Sequence, residues 1–474
     1  MIYILKIISS HRFFRLLKLA LQMILLHYTD LQSSYFLQRK DTDDSTTKIL
    51  FLKWIQSQGN DAWISSHIRM EHFSMYGYGL VAKRNVQRND PLFRIPSNLI
   101  QSSDTIKLEY TQISPHFQQI DTILGNFSSL ERQDIILALH FMKECTLRGT
   151  SYYQPYLDML PNDIVPRLDT FDDHELYLLE DEFLCQIAKE SRSKLKMLYN
   201  DLEFQRIIPF GNGLEECTSF PSFHKFVTIS SSHSMILNGT KFLVPLADMI
   251  NHSTRPDITI PHQFQTFHRR NNDGSITVYA DRDVMVGEQI FEDYGTLDSS
   301  LFLEAHGFVP SENPFHCAVI ESRYLLEFSN HNVGLADVLF HLRIIPSMSS
   351  IPDVCVTSEG RVQDAQSANL LRVLALGLDN EKLGVCIKTK SRSDCIHYDH
   401  ASEKVSRFLR LMAGRAYCTK RSSLDEDVEM LESLRKKNAS SQSELALRFR
   451  IADKRILSDV SGLGSSHVLC DTKE

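Results

Sequence analysis

Three short stretches carry residue types suited to binding and group transfer. Gly77-Tyr78-Gly79-Leu80 is a GxG, in which neither glycine has a Cβ, so the backbone can approach a ligand closely. By itself it reads equally as a plain β-turn. The third glycine of a dinucleotide fingerprint is missing and strand-like residues follow, so a dinucleotide-binding reading fails. Pro245-Leu246-Ala247-Asp248-Met249-Ile250-Asn251-His252-Ser253 ends an apolar run on an Asn-His pair that can offer backbone and amide hydrogen bonds to a polar ligand. Alone, His252 is more often a structural histidine than a ligand or base. Gly287-Glu288-Gln289-Ile290-Phe291-Glu292-Asp293-Tyr294-Gly295 places a tyrosine beside a glycine at a strand end, where a hydroxyl can be presented to a cavity. In isolation this is an ordinary core tyrosine in a turn.

The elements around these stretches are legible from periodicity and turn chemistry. Residues 39–47 are polar and read as a linker, and Leu50, Trp54 and Ile55 share one helix face. From Gly77 the pattern predicts strand, turn and strand, with the turn at Asn89-Asp90-Pro91. Residues 130–148 and 220–238 read as helices, and 174–206 as an exposed helical segment. Residues 242–250, 275–280 and 288–292 read as strands, with Asn272-Asp273-Gly274 as a strong turn signal. Residues 299–306 read as a helix stopped by Gly307. Beyond about residue 320 the character is helical, with Leu424, Val428, Leu431 and Leu434 at helical steps and 443–458 in the same style.

Taken together and in this order, the three stretches, followed by a helix ending in Gly307-Phe308-Val309, are far more specific than any one of them. The chain resembles the SET-domain protein methyltransferases, in the subfamily of the plant Rubisco large-subunit lysine methyltransferase and the actin-histidine methyltransferase. Tyr153-Gln154-Pro155-Tyr156 with Leu160-Pro161, and the C-terminal helices around 424–458, extend the likeness over about residues 50–470. The long interval between Gly79 and Asn251 matches the helical insert of that subfamily.

The resemblance implies an α+β fold: a SET domain of short strands at 48–320, split by a helical insert at about 113–238, then an all-α substrate-binding domain at 321–474. It implies S-adenosyl-L-methionine as cofactor, with Gly77, Tyr78, Gly79, His233, Asn251, His252 and Phe308 as its binding residues and Tyr294 as the catalytic tyrosine. Ala247, Met235 and His306 are implied around the substrate. Ala247 stands where the histidine-methylating relative has tryptophan and lysine-methylating relatives have alanine, which favours lysine. His233 stands where relatives have an arginine for the cofactor carboxylate, and His306 where some have a tyrosine. The alternatives are protein-histidine methylation, or a degenerate SET module that docks proteins without turnover.

Composition bounds this reading. The chain has 474 residues, 42% hydrophobic and 23% charged, which is globular, and its length suggests about three domains. A net charge of -8 argues against a protein built to grip nucleic acid. The nine cysteines show no CxxC or CxC, so neither a zinc site nor a compact disulfide framework is expected, and they read as unpaired thiols of a reducing compartment. The expected partner is a protein substrate bearing the target lysine, with no metal, no spanning helix and a monomeric enzyme. Residues 1–29 hold Lys6, Arg12, Arg15 and Lys18 and no acid. Two readings stand side by side: an organelle-targeting peptide, or a start without function. The expected location is cytoplasm or nucleus, or an organelle under the first reading. Four N-x-S/T patterns, at Asn126, Asn238, Asn251 and Asn438, are expected to be unused.

Overall fold

The computed structural model describes residues 44–58, 62–73, 77–113, 115–204, 206–207, 215–253, 267–332, 334–347, 351–362, 364–390, 395, 403–437, 439–464 and 470. The targeting question at 1–29 lies outside them. In chain order the strands are Trp63–Ile64 (β1), Ile68–Phe73 (β2), Gly77–Ala82 (β3), Pro91–Ile95 (β4), Gln101–Ser102 (β5), Met235–Leu237 (β6), Thr240–Leu243 (β7), Asn251–His252 (β8), His268–Arg270 (β9), Ile276–Tyr279 (β10), Gln289–Glu292 (β11), Cys317–Ile320 (β12) and Val354–Thr357 (β13). The fold is α+β, with strands before and after a long helical stretch and a mainly helical C-terminal part. The chain divides into two compact units.

The first unit comprises Met1–Ile164, Lys196–Asn251 and Gln265–Phe291. Its small antiparallel sheets run β1-β4-β10-β9 and β5-β7-β6, with β3 between β2 and β11 in another. Gly79 sits opposite Glu71 on β2, and Leu80 opposite Ile290 on β11. Gly274, at a φ of 81°, makes the β9–β10 turn and donates to the Asn271 carbonyl at 3.0 Å. The helix Ser129–Leu147 packs against the helix Phe220–His233. The first starts at a reciprocal cap: Ser128 Oγ accepts from the Glu131 N–H, and Glu131 accepts from the Ser128 N–H. Ile135, Leu137, Phe141 and Met142 bury its inner face.

The second unit comprises Val165–Leu195, His252–Phe264 and Glu292–Glu474. Its largest core gathers Leu325, Leu339, Leu374, Phe408, Met412 and Tyr417 among the C-terminal helices. The long helix Ser441–Ser461 packs on Glu403–Cys418 and Leu424–Lys436. Capping boxes start Asp173–Leu179, through Asp172 and Glu175, and Leu424–Lys436, through Ser423 and Glu426. A four-membered ion network lies within this packing, at most 4% exposed at any member: Glu180, Asp427, Arg450 and Lys454.

Several expectations need correction. The segment expected as a linker starts a helix at Asp44, which runs to Gln56. The 220–238 helix stops at His233, because Asn238-Gly239, both at positive φ, fold 235–243 into a hairpin. The 242–250 strand ends at Leu243: Pro245 has no N–H for a ladder, Leu246 turns to a φ of 74°, and Ala247–Met249 is a 3₁₀ turn. The 174–206 segment is two helices rather than one exposed stretch, and Leu176, Leu178 and Leu179 are buried.

The cysteines differ most from expectation. Eight pair, as Cys145–Cys217, Cys317–Cys355, Cys386–Cys395 and Cys418–Cys470, leaving Cys185 free. The partners are 72, 38, 9 and 52 residues apart, so tertiary folding brings them together and no local spacing marks them.

Candidate functional site

The chain passes from the first unit to the second between Asn251 and His252. The residues singled out by sequence therefore fall into two sets, each described within its own unit.

In the first unit, Gly77 opens β3 at a φ of 70°, with open space where a Cβ would be. Gly79 is different. A Cβ there would lie 2.5 Å from Gln289 Nε2, 2.8 Å from Asn251 Nδ2 and 3.0 Å from Phe73. Asn251 Nδ2 donates to the Tyr78 carbonyl at 3.1 Å, so the asparagine is fastened to the GxG backbone. The Tyr78 ring meets His72 edge-on at 5.2 Å. Glycine at 79 leaves room for the Gln289, Asn251 and Phe73 side chains to close on β3. It also keeps that stretch of backbone free of a side chain of its own, a setting that suits a polar ligand held through backbone and amide groups.

His233 ends the helix Phe220–His233, with Nδ1 3.5 Å from Asp248 Oδ2. The Asp248 side chain is fully buried and accepts a hydrogen bond from Tyr156 Oη at 2.5 Å. Among the described residues, neither Asp248 Oδ1 nor His233 Nδ1 has a hydrogen-bond partner. A buried carboxylate is tolerable only with compensation, and Tyr156 and His233 are the groups here that provide it. Ala247 is buried at the start of the 3₁₀ turn, and Met235 opens β6 opposite Phe242.

In the second unit, four rings, those of His252, Phe302, His306 and Phe308, cluster with Tyr294. His252 lies 5.1 Å from Tyr294, 4.7 Å from Phe302 and 5.6 Å from Phe308, centroid to centroid. Tyr294 lies 5.1 Å from His306 and 6.3 Å from Phe308. The Tyr294 backbone N–H donates to His252 Nδ1 at 3.1 Å. That makes Nδ1 the acceptor and puts the proton of the neutral imidazole on Nε2. The Ser253 N–H donates to the Glu292 carbonyl at 3.0 Å, pinning the same two segments.

The helix Ser299–His306 supplies Phe302 and His306 four residues apart, on one face. Asp298 caps it, accepting from the Ser300 N–H at 2.7 Å, and its other oxygen pairs with His316 Nδ1 at 2.9 Å. Burial would raise the Asp298 pKa, but the hydrogen bond and charge of His316 outweigh it and hold the carboxyl below its ordinary value. For His316, burial works against the cation. The hydrogen bond to Asp298 and the charges of Asp453 and Asp298 overcome that and raise it. Gly307 ends the helix at a φ of 74°, and a Cβ there would come within 2.8 Å of Val165 and 3.2 Å of the Pro166 backbone. A glycine is required by conformation and by space, and it aims Phe308 back at the rings.

Sequence reasoning grouped Gly77, Tyr78, Gly79, His233, Asn251, His252 and Phe308 around a cofactor, Tyr294 as catalytic, and Ala247, Met235 and His306 around the substrate; within the first unit Asn251 meets Tyr78, and within the second His252, His306 and Phe308 meet Tyr294. It missed Asp248, Tyr156, Gln289, Phe302 and the Asp298–His316 support. Phe302 was findable from its four-residue spacing to His306. Tyr156 and Asp248 lay inside the quoted stretches, but their bond spans 92 positions and only the fold reveals it.

Residues 77–295 match the SET domain family model. That match covers slightly less than half of the chain, and it marks a likeness to the SET-domain proteins. It is 23% identical over 426 residues to the actin-histidine N-methyltransferases of Papio anubis and Homo sapiens, covering 86% of this chain and 66% of each relative. The chain thus spans slightly less than two thirds of those relatives' length. Among solved structures, the SET domain of LSMT bound to lysine and AdoHcy superposes with a TM-score of 0.58 at 17% identity, covering 89% of this chain and 91% of that one. Rubisco LSMT bound to AdoMet gives 0.57, also at 17% identity, over 88% and 91%. These likenesses establish the fold.

Proposed function

We propose that this chain transfers a methyl group from S-adenosylmethionine to a lysine side chain of a protein substrate. The observation that carries the reading is the ring cluster that holds Tyr294 by its backbone to His252 and by its ring against His306 and Phe308. When bound, S-adenosylmethionine supplies an electrophilic methyl on a sulfonium centre. Gly79 would offer side-chain-free backbone to the cofactor's polar edge, the backbone groups of Asn251 and His252 would meet its adenine, and Phe308 would stack on it. His233 faces the cofactor carboxylate, the role relatives give to arginine. Gly77 and Tyr78 shape the approach to β3.

Tyr294 is the catalytic residue in this reading. Its phenolic oxygen would accept weak CH···O contacts from the methyl and hold it on the line of attack. The same oxygen would stabilise positive charge as it shifts toward the amine. Ala247, Met235 and His306 border the lysine side chain. Residues 48–320 form the catalytic part, with the insert at about 113–238, and 321–474 dock the protein substrate. The enzyme acts as a monomer.

A second reading, histidine methylation, is favoured by the actin-histidine relatives. Ala247 supports lysine, since a small residue leaves room where the histidine-specific relative is bulky. Isotope-labelled methyl transfer into a cell lysate, followed by total hydrolysis of the labelled protein, separates them. Labelled methyl-lysine is expected. Labelled methylhistidine transfers the assignment to the second reading, and absence of label supports a degenerate docking module.

A further inference from the structure

Four cystines are an unusual feature for a chain whose sequence reads as intracellular. The Cα–Cα separations are 5.6 Å for Cys145–Cys217, 5.4 Å for Cys317–Cys355, 5.2 Å for Cys386–Cys395 and 5.5 Å for Cys418–Cys470. All fall within the narrow window in which two cysteines can bond without backbone movement. Each pair ties different elements. Cys145 near the end of Ser129–Leu147 meets Cys217 in Glu215–Thr218. Cys317 and Cys355 join β12 to β13. Cys386 in Asn380–Thr389 meets Cys395, and Cys418 at the end of Glu403–Cys418 holds Cys470. Chance pairing could explain one such contact, but not eight of nine thiols distributed over both units. A reducing compartment keeps such pairs open, whereas an oxidising one closes them.

The glycosylation patterns gain meaning in that setting. Asn126 ends the 3₁₀ turn Leu124–Asn126 and is exposed, with Phe127 and Ser128 completing its N-x-S. Asn238 is exposed at the tip of the β6–β7 hairpin, with Gly239 and Thr240 completing its N-x-T. Both stand on turns with an accessible backbone, the setting an acceptor asparagine needs. Asn251 is different: it is half-buried and its Nδ2 is engaged with the Tyr78 carbonyl. Asn438 lies outside the described residues.

We infer that this chain folds in the oxidising lumen of the secretory route, where its four cystines close and N-linked glycans are added at Asn126 and Asn238. Each cystine forms as two thiols give up two protons and two electrons to the disulfide of a thiol–disulfide oxidoreductase, which leaves as a dithiol. Each glycan forms as the asparagine Nδ2 bonds to the sugar of a lipid-linked oligosaccharide, losing a proton while the lipid pyrophosphate leaves. The inference goes beyond methyl transfer and holds whatever residue the enzyme modifies.

The test is peptide mapping of the full-length protein taken from the cells that make it, with thiols alkylated before lysis and again after denaturation, without reductant. The expected result is four cross-linked peptide pairs in the register above, with Cys185 alone alkylated. Peptide-N-glycosidase is expected to lower the mass in two steps, one lost in Asn126→Gln and the other in Asn238→Gln. Nine alkylated cysteines in the folded chain would overturn the inference. Four cystines with both asparagines bare would also overturn it, since another oxidising compartment would then be responsible.

Discussion

Gly79 and Gly77 are two glycines of one motif with different physical reasons to be glycine, and substitution separates them. Gly79→Ala drives a methyl into Gln289 and Asn251. Because those atoms end flexible side chains, the fold should survive at a cost of about 1–3 kcal/mol. The displaced Asn251 should weaken S-adenosylmethionine binding at least tenfold by calorimetric titration. Gly77→Ala meets open space and only the strain of a φ of 70°, so about 1 kcal/mol of stability should be lost and cofactor affinity should change little. At His233 the expectation runs the other way. Arginine brings a planar fork able to engage Asp248 and a ligand carboxylate together, so His233→Arg should lower the cofactor Kd by about tenfold. At this scale the positive φ of Gly77 and the close approach at Gly79 were legible in the sequence as a GxG, because backbone freedom is a local property. The sequence was blind to the Tyr156–Asp248 bond, whose members are remote in the chain.

The element that aims the rings is the helix Ser299–His306, and its support is titratable. Asp453 is pushed up to about 6 by burial, against the opposing charges of Lys420 and His316. It lies 3.5 Å from His316, which is itself raised. A group with a raised folded pKa contributes stability below its unfolded value and loses it as pH climbs through the folded one. Asp453 therefore loses its contribution as pH passes about 6, and His316 loses its own above its ordinary 6.5. Asp298, held low, contributes above 3.8 and loses that only in acid. Tm should accordingly fall as pH climbs from 3.8 through about 6, where Asp453 titrates, and fall further above 6.5, where His316 does; His316→Gln should flatten the second part of that slope. A slope unchanged in the variant would place the pH sensitivity elsewhere. In the C-terminal helices, Asp427 is fully buried between Arg450 and Lys454, so Asp427→Ala leaves two buried cations to share Glu180 as their one carboxylate in the network and should cost about 3–5 kcal/mol in denaturant titration. The helices Ser129–Leu147, Ser299–His306 and Leu424–Lys436 were legible to within a residue or so, since caps and apolar steps are written locally. The hairpin at Asn238-Gly239 was swallowed by a predicted helix, because a turn of two residues outweighs the helical pattern only when β7 has β5 to pair with.

Across the whole molecule, the order of motifs pointed to the SET-domain likeness that the match over residues 77–295 bears out, where no single motif could. The cystines were not legible, since the spacings of 9 to 72 residues acquire meaning only once the fold exists. Ligand linkage gives a global check: saturating S-adenosylmethionine at a hundredfold over its Kd should stabilise the chain by about 2.7 kcal/mol and raise Tm measurably, while a degenerate pocket would leave Tm unmoved. The central claim is that Tyr294 performs methyl transfer. Its most direct test is kcat of Tyr294→Phe on the identified substrate, alongside the cofactor Kd of the same variant. The account predicts a kcat lowered by about a hundredfold or more with the Kd within a few-fold of the parent, because the phenolic oxygen acts on the transferring methyl. A variant that turns over at the parent rate would contradict it.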